Sequence, residues 1–129
     1  SLTESQQKAK NAKIKADLSQ IRMIAELIYD ESNSYEYLCS PQQFGNTAVF
    51  NEKRNDLAEI EEDIYKQQGR IIIGKLDCSS SVNSYCVAAD LVPTGNGRYC
   101  ADSTLTLKEI TDRQTCKGTG ASQNPFRCP

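Results

Sequence analysis

The sequence predicts an α+β fold: a long N-terminal α-helix packed on an antiparallel β-meander of three to four strands, a second helix in the helix-to-sheet connection, and a disulfide-bounded C-terminal loop. Three observations predict it. Residues 1 to 31 hold helix formers throughout, contain no Gly or Pro, and space their apolar side chains by three and four. From Arg70 onward the pattern turns to short β-branched and aromatic runs broken by Ser/Asn and Pro/Gly turns. Six cysteines in 129 residues, none in a C-x-x-C pair, form an even set available for staples. At this length the chain reads as one domain, residues 1–129. Its parts are the long first helix (1–31), a connecting loop with the second helix (32–69), the meander (70–103) and the C-terminal region (104–129).

In the first helix, Ile14, Leu18, Ile21, Ala25 and Ile28 recur on one face, and Ile24 falls beside them. A weaker stripe gathers Ala9, Ala12, Ala16, Met23 and Leu27 on a separate side. The large residues are suited to the chain's own sheet, and the small ones would let a neighbouring helix approach closely; alanine's helix propensity explains the second stripe equally well. Lys8, Lys10, Lys13 and Lys15 crowd the amino end, while Glu26, Asp30 and Glu31 crowd the carboxyl end, against the macrodipole at both ends. That polarity predicts further chain upstream, with the lysines sitting mid-helix.

The segment SNSYEYLCSPQQFGN reads as a loop that Cys39 can pin. A second helix follows, capped by Asn51 or Asn55, with Leu57, Ile60 and Ile64 on one face and Gly69 at its carboxyl end. The acids Glu59, Glu61, Glu62 and Asp63 read as a solvated face. Three strands come next: Arg70–Cys78, Ser84–Leu91 and Gly97–Asp102, joined by short turns. The stretch LTLKEITDRQ beyond them fits a short helix or a strand.

Folding each hairpin about its midpoint sets Cys78 opposite Cys86 and Cys86 opposite Cys100, all on one face. Three cannot pair together, so either Cys78 or Cys100 reaches outside the sheet. The reading pairs Cys86 with Cys100 and Cys39 with Cys78. Cys116 and Cys128 enclose eleven residues rich in Gly, Ser, Asn and Pro, which predicts a Cys116–Cys128 bridge to hold them. Such a ring either fastens the chain end or presents Lys117, Phe126 and Arg127 as a recognition loop.

The formal charge of −2 and scattered basic residues outside the first helix give no electrostatic footprint for nucleic acid. With no histidine, Ser-His and Cys-His catalysis and most zinc sites are excluded, and the remaining carboxylates sit in ordinary helix faces. No enzyme activity, cofactor or metal is expected. The cysteines point to an oxidising compartment, periplasmic, surface-exposed or secreted.

The stretch KAKNAKIKADLSQIRMIAELIYDESNSY, residues 8 to 35, resembles the region just past the transmembrane part of the first helix in type IV pilins and type II secretion pseudopilins. The order of parts agrees: long helix, variable loop, a meander carrying SYCVAADL and GRYCADST, and a C-terminal disulfide loop. The resemblance implies a precursor with a leader removed by a prepilin peptidase, a methylated N-terminus, and an inner-membrane anchor lying before Ser1. It implies polymerisation through the helix into an extracellular filament on a prokaryotic surface, with identical or related subunits and the inner-membrane assembly machinery as partners. On that reading Ala9, Ala12, Ala16, Met23 and Leu27 face other subunits, and surface loops serve adhesion to a receptor. The calcium site of some pseudopilins has no clear counterpart, with Asp102 and Asp112 the residues to test. A secretion pseudopilin, or a secreted disulfide-stabilised binding module acting through the Cys116 to Cys128 loop, is the alternative.

Overall fold

Thr3 gives the first helix its start. The computed structural model describes residues 2–41, 48–51, 53–69, 76–93, 95, 97–111 and 114–129, and its first helix, α1, runs Glu4–Ser32. Gln6 N donates to Thr3 Oγ1 at 3.2 Å and Thr3 N donates to Gln6 Oε1 at 2.9 Å, a reciprocal capping box with Glu4 in the first turn. The crowding of lysines near this end of the helix thus coexists with a side-chain cap. Its lysines also find local partners: Lys8 pairs with Glu4, and Lys15 pairs with Glu109 while lying over the Tyr99 ring, 5.4 Å from the centroid. At the other end Asn33 closes the helix at φ 57°, donating its N–H to Tyr29 O at 2.7 Å.

The second helix, α2, spans Asn55–Gln67. Neither asparagine caps it: the N-cap is Arg54, with no side-chain cap bond, and Asn51 instead shapes the preceding turn by accepting from Lys53 N at 3.1 Å. Leu57, Ile60 and Ile64 pack inward as their spacing predicts, and Gly69 follows the helix at φ 71°. The acidic run is not a uniformly solvated face. Glu61 is buried and its Oε1 accepts from Val49 N and Phe50 N, each at 3.0 Å, so this carboxylate holds the preceding loop against the helix.

Four strands form one antiparallel sheet in sequential order: β1 Leu76–Ser80, β2 Tyr85–Asp90, β3 Arg98–Asp102 and β4 Leu107–Ile110. The sheet thus continues past residue 103 into the stretch whose pattern suited helix or strand. Residues 70–75 of the expected first strand lie outside the described residues. The register differs from midpoint folding. Cys78 pairs with Val87 and Ser79 with Cys86 because the first turn holds four residues, closed by Ser81 N donating to Ser84 O at 2.8 Å. One position of slip turns Cys78 to the opposite face from Cys86. Across the second turn Cys100 pairs with Ala88 and Cys86 with Asp102, a shift of two that keeps both cysteines on one face but sets them diagonally.

The two faces are covered differently. Tyr85, Val87, Ala89 and Ala101 pack with Ile14, Leu18, Ile21, Ala25 and Ile28 of α1 and Leu57, Ile60 and Ile64 of α2, the main core. On the other face Cys86, Ala88, Cys100 and Ile110 form a smaller cluster with Cys128, and Cys116 and Phe126 of the C-terminal segment pack against it. Charge also fixes this side: Arg98, buried, donates to Asp90 at 2.6 Å, to Asp77 at 2.8 Å and to Gln114 O at 3.0 Å.

Candidate functional site

Two features stand apart from the core: the outward side of α1 and the stapled C-terminal segment. Along α1 the first buried side chain is Ile14, so the helix extends ten residues, Glu4 to Lys13, before its own core begins. Ala9, Ala12, Ala16, Met23 and Leu27 are all exposed, Met23 at 67% and Leu27 at 53%. They lie roughly 180° around the helix from Ile14, Leu18 and Ala25. Asn11 marks the boundary, clamping Val92 in two directions: its Nδ2 donates to Val92 O at 2.9 Å, and Val92 N donates to its Oδ1 at 2.7 Å. Among the described residues no helix is long and apolar enough to cross a membrane.

The six cysteines form three disulfides, Cys39–Cys78, Cys86–Cys116 and Cys100–Cys128. The first is the pair expected. The expected Cys86–Cys100 and Cys116–Cys128 bridges are corrected: the C-terminal segment lies over the outer sheet face, and each of its cysteines takes one sheet cysteine. The enclosed loop does not need a Cys116–Cys128 closure, because its backbone closes itself. Lys117 and Arg127 exchange both amide bonds, at 2.8 and 2.9 Å, and Thr119 N donates to Asn124 O at 3.0 Å. Gly118 sits at φ 97° where a Cβ would come within 2.0 Å of Pro125 O, so only glycine permits this strand spacing.

Of the three loop residues, Lys117 is exposed, whereas Phe126 and Arg127 are half-buried and already engaged. Phe126 rests on the outer cluster, and its N–H donates to Ser84 Oγ at 2.9 Å. Arg127 donates back to Asn124 Oδ1 at 2.8 Å and Pro125 O at 3.0 Å, so it braces its own hairpin. An open groove of about 740 Å³ runs beside Phe126, lined also by Tyr37, Pro41, Lys53 and the Cys39–Cys78 bridge.

Asp102, a candidate cation ligand, is buried and occupied by protein donors. Its Oδ1 accepts from Thr104 N at 2.9 Å, Thr104 Oγ1 at 2.6 Å and Thr106 N at 3.3 Å, and its Oδ2 accepts from Cys128 N at 2.8 Å. A carboxylate so saturated is a strut joining the β3–β4 turn to the chain end. Asp112 lies outside the described residues. The close group of Cys86, Cys100 and Cys128 sulfurs has its ligand atoms committed to disulfides.

A carboxyl pair between the two helices was not visible in the sequence, since Asp17 and Asp63 are far apart in the chain. Asp17 Oδ2 is buried and meets no hydrogen-bond donor among the described residues. Burial, reinforced by the Asp63 carboxylate, pushes Asp17 up to about 7. Asp63 is held below the usual carboxylate range by the bond from Asp17 and by Gln67 Nε2, which donates to its Oδ1 at 3.1 Å. Lys13 beside both carboxylates, and Lys66 beside Asp63, favour their ionised forms.

No family model, curated protein or solved structure matches the chain. What is established is an α+β protein with a triply disulfide-bonded sheet and a helix whose apolar ridge faces away from its own core.

Proposed function

We propose that this protein is a structural subunit of a type IV pilus or pilus-like filament that polymerises through its N-terminal helix. The observation that carries this reading is the outward ridge of α1, where Ala9, Ala12 and Ala16 lead into Met23 and Leu27 on a helix that outruns its own core. Small residues along one half let a second helix approach closely, and burying Met23 and Leu27 supplies about 25 cal/mol per Å² of apolar surface removed from water. The sheet, carrying three bridges, is suited to an oxidising environment outside the cell, where an unfolded subunit has no chaperone to restore it. Identical or related subunits are its partners, handed over by an inner-membrane assembly machinery, and its loops face outward for adhesion. The groove between Phe126 and Tyr37 supports the second reading, a secreted binding module that works as a monomer.

The two readings part in producing cells. Gold-labelled antibody against this protein should decorate surface filaments under the electron microscope, and Ala12→Glu or Leu27→Glu should abolish the filaments while the purified variants fold normally. Protein found as free monomer in the medium, with bare cells, would overturn the filament reading in favour of the module.

A further inference from the structure

Four of the six cysteines lie in one group. Cys86 Sγ and Cys100 Sγ, which belong to different disulfides, are 3.5 Å apart, within van der Waals contact, and both residues are fully buried. Cys128 Sγ lies within 4.8 Å of both. Cys116, by contrast, is partly accessible to solvent. It directly precedes Lys117, and Cys128 directly follows Arg127, the two residues that close the C-terminal hairpin. Cys116 and Cys128 therefore stand side by side at the hairpin mouth. Each cysteine thus has two neighbours within reach: the one it is bonded to, and the one it would meet in the opposite pairing.

We propose that Cys116 is the entry point for an external thiol, and that the protein interconverts between the observed pairing and a second one, Cys86–Cys100 with Cys116–Cys128. The exchange balances without any net oxidant or reductant. An external thiolate, such as that of a small thiol or a thiol-disulfide isomerase, attacks Cys116 Sγ, forming a mixed disulfide and releasing Cys86 as thiolate. Cys86 then attacks the adjacent Cys100 Sγ, forming Cys86–Cys100 and releasing Cys128 as thiolate. Cys128 attacks the mixed disulfide at Cys116, forming Cys116–Cys128 and expelling the external thiolate unchanged. The number of disulfides is the same at the end as at the start.

The two pairings do different things to the fold. The observed bridges interleave along the chain and bolt the C-terminal hairpin to β2 and β3. The alternative bridges are both local: one joins neighbouring strands, the other closes the hairpin on itself. In that form no covalent bond holds the C-terminal segment to the sheet; what remains is the packing of Phe126 and the polar contacts of Cys128 N with Asp102, Phe126 N with Ser84 and Arg98 with Gln114 O. The cluster is therefore a site where an isomerase converts a fastened C-terminal segment into one that can lift from the outer face. The Cys39–Cys78 bridge belongs to the opposite face and takes no part.

The test uses the intact oxidised protein, incubated without oxygen at pH 8 with glutathione below one equivalent, then quenched in acid and blocked with N-ethylmaleimide. Trypsin sets Cys100, Cys116 and Cys128 on fragments 99–108, 114–117 and 128–129 and leaves Cys78 and Cys86 together on 76–98, where fragmentation of the linked peptides tells the two apart. Mass spectrometry should find the Cys86–Cys100 and Cys116–Cys128 cross-links appearing together in equal amounts, with no gain in free thiol and Cys39–Cys78 intact. The Cys100→Ser/Cys128→Ser double variant should instead stop at a glutathione adduct on Cys116 and a free Cys86. An unchanged map in the native protein overturns the proposal. So does accumulation of free thiol without new bridges, or a product joining Cys86 to Cys128.

Discussion

The inner and outer faces of the β-sheet solve one problem in two ways. The inner face is covered by α1, on which α2 packs in turn, and Val87, Ala89 and Ala101 share one apolar core with Ile14, Leu18, Ile21 and Leu57. The outer face is covered by a segment with one small hairpin and little other regular structure. Its fastenings are correspondingly specific: two disulfides, the buried Arg98 between Asp77 and Asp90, and the saturated Asp102. A helix brings a periodic apolar stripe that repays the cost of ordering it. An irregular segment brings few apolar contacts per residue, so its order must come from cross-links and buried polar anchors.

Removing the cross-links should separate the faces most. By the chain-entropy estimate, bridges closing stretches of 30 and 28 residues are worth about 3.5 kcal/mol each. Loss of these two bridges alone, by serine replacement of Cys86, Cys100, Cys116 and Cys128, should therefore lower the melting temperature by about 20 °C in calorimetry while the far-ultraviolet helix signal persists at room temperature. An unchanged midpoint would break the comparison. Next in size, Leu18→Ala empties a fully buried site on the inner face and should cost about 4 kcal/mol in urea titration. Asp102→Ala leaves the amides of Thr104, Thr106 and Cys128 without their acceptor and should cost about 3 kcal/mol. Hydrogen exchange should rise first at the chain end in this second variant, and across α1 in the first.

The helix pair itself sharpens the contrast through pH. Asp17 is raised to about 7 in the folded chain from an ordinary 3.8, so between those values the folded state holds a proton that the unfolded state has lost. Stability from this group therefore falls as pH rises from about 4 to 7. Asp63, lowered, gives the opposite slope, losing its contribution as pH drops through its folded value below 3.8. Melting temperatures at successive pH values should decline across the upper window, and Asp17→Asn should flatten that decline. The smallest expected effect on stability is at the ridge: Leu27→Glu should shift the unfolding midpoint by no more than about 0.5 kcal/mol, because the side chain is already in water. A large loss there would mean that the ridge packs within the chain after all.

The elements were legible where periodicity decides. Ile14, Leu18, Ile21, Ala25 and Ile28 announced the buried side of α1, and Leu57, Ile60 and Ile64 that of α2, because burial of a helix repeats every turn. Register was less legible, since it depends on whether a turn holds an odd or even number of residues. The Ser81–Ser84 bond settles that, and sequence spacing does not. The misreading of Cys78 and Cys86 follows from that single slip. The disulfides were legible as to number, but partner choice depended on where residues 116–128 lie over the sheet. Glu61 and Asp63 were misread for a related reason: in an acidic run, only tertiary contact distinguishes the exposed Glu59 and Glu62 from the buried Glu61 and from Asp63, which faces Asp17 of the first helix.

Asn11 sits where α1 leaves its own core, and its paired bonds to Val92 tie the helix to the β2–β3 turn. Pulled by its two ends, the molecule could not unravel along its whole length. The stretch of 39 residues between Cys39 and Cys78, and the 30 between Cys86 and Cys116, are short-circuited by sulfur. Less than half of the contour, which at about 3.6 Å per residue would otherwise run its full extent, is left to be drawn out. Tension applied along the helix would draw out only that unbridged part, which a single-molecule extension curve reads directly as a shortened contour length.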